Sequence, residues 1–440
     1  MHTLINHFIL LTKKSKLLNT MTFKNEQYEI GGVPVQTLVN RYEAPLYVYD
    51  LEKIESQYNR LKSAFSGTRM KIMYACKALT NISVLRFFNQ MGSGVDTVSI
   101  QELHIALKAG FAPENIMFTP NCVSFEEIQE AVRYGVNINI DNISILEQFG
   151  NTYGDTVPVC IRLNPHIFAG GNPKISVGHI DSKFGISVHQ MRHVHRVVKS
   201  SGLRVAGLHM HTGSDILDVE VFLNAADIML NTAFHFENLE YIDFGSGFKV
   251  PYKPNDRHTN IEELGEKLTT RFNEFCQEYG RDLTMMFEPG KFLVSEAGYF
   301  LVRTNVVKTT PATVFAGVDS GLNHLIRPMF YDSYHHIINA SNPLGKERFY
   351  TVVGYICETD TFAWDRKLNE IREGDILVFK NAGAYSFSMA SNYNSRYRPA
   401  EVAIYNAKPQ LIRKRETLDD LLQNQIEVDF AKAGESILVD

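Results

Sequence analysis

Several residues spaced along the middle of the chain have side chains suited to catalysis: Lys77, Asp96, Arg162, the pair His209 and His211, the glycine loop Gly245-Ser246-Gly247, and Glu288. Taken singly, each has an ordinary explanation. A lysine just past a buried segment is more often a surface lysine, and a Gly-x-Gly sequence without a third glycine is as often a plain tight turn. His211 reads as a satisfied core histidine, a metal ligand or a flat ring against a cofactor, and metal is the poorest of these because no neighbouring carboxylate or cysteine completes a ligand set. Together they make a more specific set. An amine to hold a Schiff base, bare backbone N–H groups to cradle a phosphate, a planar ring and a carboxylate to keep a pyridinium nitrogen protonated are what pyridoxal phosphate requires.

That chemistry needs a scaffold that brings distant residues to one place. From residue 70 onward, short runs of β-forming residues alternate with amphipathic stretches, the pattern of βα units and a parallel sheet. The strands expected are Lys71–Ala75, Gly94–Val98, Asn115–Phe118, Asn137–Ile140, Val157–Arg162, Val205–His209, Leu239–Asp243 and Leu283–Phe287. Helical patterns lie between them at Ile100–Lys108, Phe125–Tyr134, Val219–Phe234 and Glu262–Glu278. Eight alternating units followed by a change of texture predict a closed (β/α)8 barrel, and the polar residues above fall at the carboxyl ends of its strands, where barrel sites are built.

After Gly290 the pattern becomes all-β, with strand-like runs at Gly298–Val302, Val306–Lys308, Thr313–Val318, Tyr350–Gly354, Ile376–Phe379 and Glu401–Tyr405. Tyr28–Val39 and Leu46–Tyr49 are strand-like too, and are assigned to this second domain because the barrel count is already full. The expected division is a tail at 1–22, a barrel over 47–289, and a β-sandwich or β-barrel domain built from 23–46 and 290–440.

The chain has 440 residues, 44 % hydrophobic and 21 % charged, an ordinary globular balance with ample apolar surface for a core. Its net charge of -5 offers no broad basic field for nucleic acid. No apolar run approaches the roughly 18 residues of a membrane span, and His7–Leu11 is too short for a secretory h-region. The five cysteines are odd in number and scattered, so neither a disulfide framework nor a metal site is expected, and a cytoplasmic location is.

Tyr74-Ala75-Cys76-Lys77-Ala78, Gly92-Ser93-Gly94-Val95-Asp96, Gly207 through Ser214, Asp243-Phe244-Gly245-Ser246-Gly247 and Glu288-Pro289-Gly290-Lys291 resemble, in order and spacing, the alanine-racemase-fold decarboxylases that use pyridoxal phosphate. Asp319 through Tyr331, Cys357-Glu358 and Gly383-Ala384-Tyr385 are similar to the diaminopimelate decarboxylase branch. The resemblance implies that Lys77 carries the cofactor, that His211 stacks on its ring, that Ser214, Gly245, Gly247 and Tyr385 contact its phosphate end, and that Glu288 pairs with its ring nitrogen. Asp96, Arg162 and Lys291 complete the implied cofactor-binding set. Cys357 is the implied proton donor, whose plain alternative is a small buried thiol. Arg327 and Tyr331 would clamp the distal carboxylate of a diaminopimelate, and Glu358 its distal ammonium, with Lys291 and Tyr385 also on the substrate side. The plain alternative for Arg327 is a surface ion pair. The family is a homodimer in which the Cys-Glu segment reaches the partner's barrel.

Three departures stand out. Lys291 replaces the family's usual arginine and loses its two-pronged donor. Ser246 replaces a glycine at the centre of the loop. The acidic residue after Cys357-Glu358 is one place early, so Asp360 is given no site role. The expectation is decarboxylation of meso-2,6-diaminopimelate to L-lysine, the last step of lysine biosynthesis, in a locally positive pocket of Lys77, Arg162, Lys291 and Arg327. Alternatives are a related decarboxylase acting on ornithine, arginine, lysine or carboxynorspermidine, and a non-catalytic relative resembling an antizyme inhibitor.

Overall fold

The eight strands expected of the barrel form one closed parallel sheet. They run Met70–Ala75, Gly94–Thr97, Ile116–Phe118, Asn137–Ile140, Val159–Asn164, Val205–Met210, Tyr241–Asp243 and Thr284–Phe287. Each pairs with its sequence neighbour, and the eighth closes on the first through Met285–Met70, Met286–Lys71 and Phe287–Ile72. A short extra strand, Ile186–Ser187, adds to the fifth. The computed structural model describes residues 21–167, 178 and 182–430. The expected tail lies outside the described residues up to position 20, as do residues 431–440; Met21 and Thr22 already belong to an antiparallel strand, Met21–Lys24.

The helices begin where the sequence offers a cap. Asn81, Ser99, Ser124, Asn142, Asp218 and Asn260 each stand just before a helix and accept a backbone N–H from its first turn, satisfying a donor that has no helical partner. No helix among the described residues is long and apolar enough to cross a membrane.

Leu46–Asp50 pairs antiparallel with Gly298–Leu301 and parallel with Ala400–Ile404, so it lies in the β domain and the barrel portion starts after it rather than at residue 47. The two expected strands at 298 and 306 are one strand of 12 residues, Gly298–Thr309, which pairs with Ile376–Lys380 in its first half and with Val314–Val318 in its second. The strand-like reading of Tyr28–Val39 is corrected in its second half: Val35–Tyr42 is a helix. Its buried residues, Val35, Leu38 and Val39, are spaced at three and four, a helical period that β-branched composition masked. Thr361–Asn369 and Lys408–Arg413 escaped notice because each leaves many residues exposed and carries only a broken apolar alternation.

The two halves meet at glycines. After Glu288 the chain makes a single helical turn, Lys291–Val294, and enters the long strand at Gly298. There Ala382 N–H donates to Gly298 O at 2.8 Å, and Gly383 N–H donates to Ser295 O at 3.2 Å. A Cβ on Gly383 would collide with Val294 O, and one on Gly298 with the Gly383 backbone. This close approach sets the position of Tyr385, two residues on, whose N–H donates to Ala78 O at 2.8 Å on the barrel side. Gly383→Ala should therefore cost about 1–3 kcal/mol of stability through overpacking. Urea denaturation beside the unchanged chain checks this, and a midpoint equal to that of the parent would refute it.

Candidate active site

Side chains alternate along a strand, so residues two apart share a face. Met73, Met117 and Met286 pack with Tyr241 in a cluster separate from the main core, bridging the first, third, seventh and eighth strands, which only the barrel interior allows. Gly207 makes room there, since a Cβ on it would collide with the Tyr241 ring. Two residues beyond Gly207, Tyr241 and Met286 lie His209, Asp243 and Glu288, and Arg162 stands two beyond Cys160. The next layer toward the carboxyl ends is therefore polar, and Asp96, Arg162, His209, Asp243 and Glu288 are all buried in it.

Above this layer opens a cavity of about 700 Å³. Its wall includes Lys77, Arg162, His211, Ser214, Gly247, Glu288, Lys291, Arg327, Tyr331 and Tyr385, so ten residues read from the sequence share one space. Asp96 and Gly245 stand immediately behind them. Lys77 lies in a turn just after the first strand and is ion-paired with Asp96. Burial alone would lower the Lys77 amine, but Asp96, Tyr385 and Glu288 carry it above its ordinary value. Burial and the charge of Glu288 push Asp96 up to about 7 in spite of Lys77.

Glu288 accepts from His209 Nε2–H at 3.0 Å and from the Thr119 hydroxyl at 3.5 Å. Burial pushes its carboxyl up, but His209, Lys77 and His211 outweigh this and hold it well below the usual carboxylate range. Asp243, by contrast, is raised well above its ordinary value by burial and by Glu288, while its Oδ1 accepts from Gly245 N–H at 2.8 Å. Ligand atoms of His209, Asp243 and Glu288 lie within 4.8 Å of one another, a spacing a cation would also fit, and hydrogen bonds already occupy both oxygens of Glu288 and one of Asp243. Sequence reading placed His209 at a strand end without a role and passed over Thr119 and Asp243; the two-residue spacing from Gly207 and Tyr241 is the signal that would have found His209 and Asp243.

The glycine loop is a cradle in geometry as well as composition. Gly245 and Gly247 have φ of 61° and 112°, in the left-handed region that favours glycine. A Cβ on either would collide with backbone oxygens, of Met210 and Gly213 respectively. Ser246, the expected departure, turns its N–H to His211 Nδ1 at 3.3 Å, which fixes the imidazole edge-on to the loop. A flat phosphorylated pyridine fits this set: a carboxylate on the barrel floor, a ring-shaped wall residue, an amine, and a loop with no side chain to fill the phosphate position.

The expected positive pocket is corrected in part. Lys77 is paired with Asp96, and Lys291 donates to Asp215 Oδ1 at 2.8 Å, a partner that sequence reading missed although it adjoins Ser214. Arg327 is different. It is buried, its guanidinium lies 5.5 Å from the Tyr331 ring and 5.8 Å from the Tyr252 ring, and among the described residues its one side-chain hydrogen bond is to Ser333 Oγ, at 3.3 Å. Among the described residues its Nε has no hydrogen-bond partner and no carboxylate stands within ion-pair distance. Cys357 and Glu358 do not join this cavity: both are exposed, and Cys357 borders a separate hollow with Asn394, Ser395, Arg396 and Tyr397.

Residues 51–295 match the pyridoxal-dependent decarboxylase family, pyridoxal binding domain. The chain is 42 % identical over 406 residues to the diaminopimelate decarboxylase of Methanothermobacter thermautotrophicus, covering 90 % of this chain and 95 % of that one. The chain belongs to the diaminopimelate decarboxylase family. The Campylobacter jejuni diaminopimelate decarboxylase is 35 % identical, over 90 % of this chain and 99 % of its own. Among solved structures, the diaminopimelate decarboxylase of M. jannaschii superposes with a TM-score of 0.86 at 31 % identity, covering 94 % of this chain and 99 % of that one. The Helicobacter pylori diaminopimelate decarboxylase, solved in complex with L-lysine, does so with a TM-score of 0.81 at 33 % identity, covering 88 % and 98 %.

In this member of the diaminopimelate decarboxylase family, burial with Arg162 and Lys77 nearby pulls His211 down to about 3. An unfolded histidine takes up its proton near pH 6.5, so below that pH the unfolded chain binds the proton that folded His211 refuses, and stability falls as pH falls. His211→Phe removes this contribution, and its Tm should drop less than that of the unchanged chain between about pH 7 and pH 5. Equal drops would show that His211 titrates normally.

Proposed function

We propose that this chain is a pyridoxal-phosphate-dependent carboxy-lyase of the cytoplasm that converts meso-2,6-diaminopimelate to L-lysine and carbon dioxide, the last step of lysine biosynthesis. The observation that carries the choice of substrate is Arg327, a buried guanidinium in the Lys77 cavity with an unused donor and, among the described residues, no carboxylate of its own. A substrate ending in a simple amine would leave that cation unmatched, whereas the second carboxylate of a diaminopimelate supplies its partner. The bound L-lysine of the H. pylori relative, which retains that carboxylate, supports the same reading.

When bound, the cofactor would supply an electron-withdrawing ring in conjugation with the substrate's amino nitrogen. The chain's own residues supply the rest. Lys77 presents the amine that holds the cofactor. Glu288, kept ionised by His209, Thr119 and Lys77, would pair with the ring nitrogen and favour its protonated form. Gly247 and Ser214 offer backbone and hydroxyl donors to the phosphate, Gly245 leaves room behind them with its own N–H held by Asp243, and Tyr385 is brought in from the β domain. Asp96 and Arg162 fix the charges around Lys77, and Lys291, anchored on Asp215, faces the substrate side. Arg327 with Tyr331 binds the distal carboxylate. Cys357 and Glu358 stand outside the cavity of their own chain, and we assign them to the cavity of a second copy in a homodimer, Cys357 as proton donor and Glu358 as partner of the distal ammonium.

Carbon dioxide release measured from meso-diaminopimelate, lysine, ornithine and arginine tests the substrate. Diaminopimelate should be preferred, and Arg327→Ala should cost about 2 kcal/mol, or roughly thirtyfold in kcat/KM, on diaminopimelate alone. An equal loss on every substrate would remove the clamp. The shared site has its own test: mixing inactive Lys77→Ala and Cys357→Ala proteins should restore roughly a quarter of full activity, because half the dimers would then hold one intact site. No recovery after subunit exchange would place both residues in one chain's site.

A further inference from the structure

The loop that carries Cys357 and Glu358 is held from two sides. On the inner side Asp360 is buried and accepts Ile356 N–H at 3.3 Å, while the absence of side chains at Gly321 and Gly354 leaves its carboxylate room. On the outer side a short turn, Tyr393–Ser395, reaches across from another part of the β domain. Asn394 contacts Cys357 twice: its Oδ1 accepts the Cys357 backbone N–H at 3.0 Å, and its Nδ2–H donates to Cys357 Sγ at 3.0 Å. The Tyr393 hydroxyl donates to Glu358 Oε1 at 2.8 Å. Two adjacent residues of one turn therefore hold two adjacent residues of the other.

The turn takes left-handed backbone at two residues that carry side chains. Asn394 and Ser395 have φ of 57° and 53°, left-handed values that side-chain-bearing residues adopt at a cost. Cys357, Glu358, Tyr393 and Asn394 are all exposed, and hydrogen bonds at exposed positions return little stability.

We propose that Asn394 and Tyr393 are positioning residues that aim the Cys357 thiol and the Glu358 carboxylate at the reacting substrate. This rests on the reading of Cys357 as proton donor. In that step the Cys357 S–H bond breaks and a C–H bond forms at the substrate carbon that has lost carbon dioxide, using the electron pair the carboxylate left behind. The sulfur then regains a proton from solvent, and nothing is oxidised or reduced. Asn394 Nδ2–H is a donor that suits both states of the sulfur, so the thiol keeps one orientation throughout.

Asn394→Gly tests this in the holoenzyme, because glycine tolerates the left-handed backbone and removes only the side-chain contacts. With meso-diaminopimelate, kcat should fall about tenfold or more while KM stays within about twofold. Tm and dimerisation should be unchanged. In D2O, deuterium at the product's new methylene carbon should spread over both positions instead of one. Tyr393→Phe should lower kcat in the same direction, and Asn394→Asp, which keeps the acceptor for Cys357 N–H, should recover part of the loss. In a Cys357→Ala background Asn394→Gly should cost nothing more. Wild-type kcat in Asn394→Gly beside a slow Cys357→Ala would overturn the positioning role alone, as would losses that add in the double variant or a fall in Tm that accounts for the lost activity. Wild-type kcat in Cys357→Ala would overturn the proton-donor reading and this inference with it.

Discussion

Glu288 keeps a negative charge at the closed floor of a buried cavity, and much of the molecule is arranged to allow it. Taking a carboxylate out of water costs several kcal/mol unless hydrogen bonds and opposite charge replace the lost hydration. His209 Nε2–H and the Thr119 hydroxyl supply the first, and Lys77 supplies the second. Asp243 shows the complementary outcome: burial near an existing negative charge raises its pKa and favours the neutral acid. One carboxylate ionised beside one held toward neutrality makes the floor of the barrel an electrostatic element, and the backbone bond from Glu288 N–H to Gly245 O at 2.7 Å ties it to the glycine cradle.

The barrel alone would not complete the cavity. Arg327 and Tyr385 come from the β domain, and both are brought to the barrel mouth across a junction so tight that two glycines face each other in it. The discontinuous chain helps here. Leu46–Asp50 is laid between Gly298–Leu301 and Ala400–Ile404, so the strand leading into the barrel and the strand leading out of it are paired. That pairing fixes the two domains at the point where the site needs contributions from each.

Most of the barrel was legible because its strands are short apolar runs bounded by capped helices, a pattern that local residue type specifies. Val35–Tyr42 was misread because β-branched residues outweighed a three-and-four spacing over only eight positions. Of the residues gathered at the cavity, Lys77, His211, Gly245, Gly247 and Glu288 were legible from residue type at the strand ends, and Arg327 only through the family resemblance. Asp215, Thr119 and Asp243 were not, since an acid or hydroxyl near a strand end has many ordinary uses, and its partner lies elsewhere in the chain.

The sequence by itself determined the order of the elements, the residue types at the carboxyl ends of the strands and the glycines that permit left-handed turns, because these follow from local sterics and periodicity. Only the tertiary structure decided which charges are spent on one another. Lys77 and Lys291 find carboxylates across the fold, Arg327 finds none among the described residues, and the exposed Cys357 is held by a turn whose residues lie far along the chain. Such pairings depend on distances of a few ångströms between residues that chain position does not relate, and closing the barrel against the β domain is what sets them.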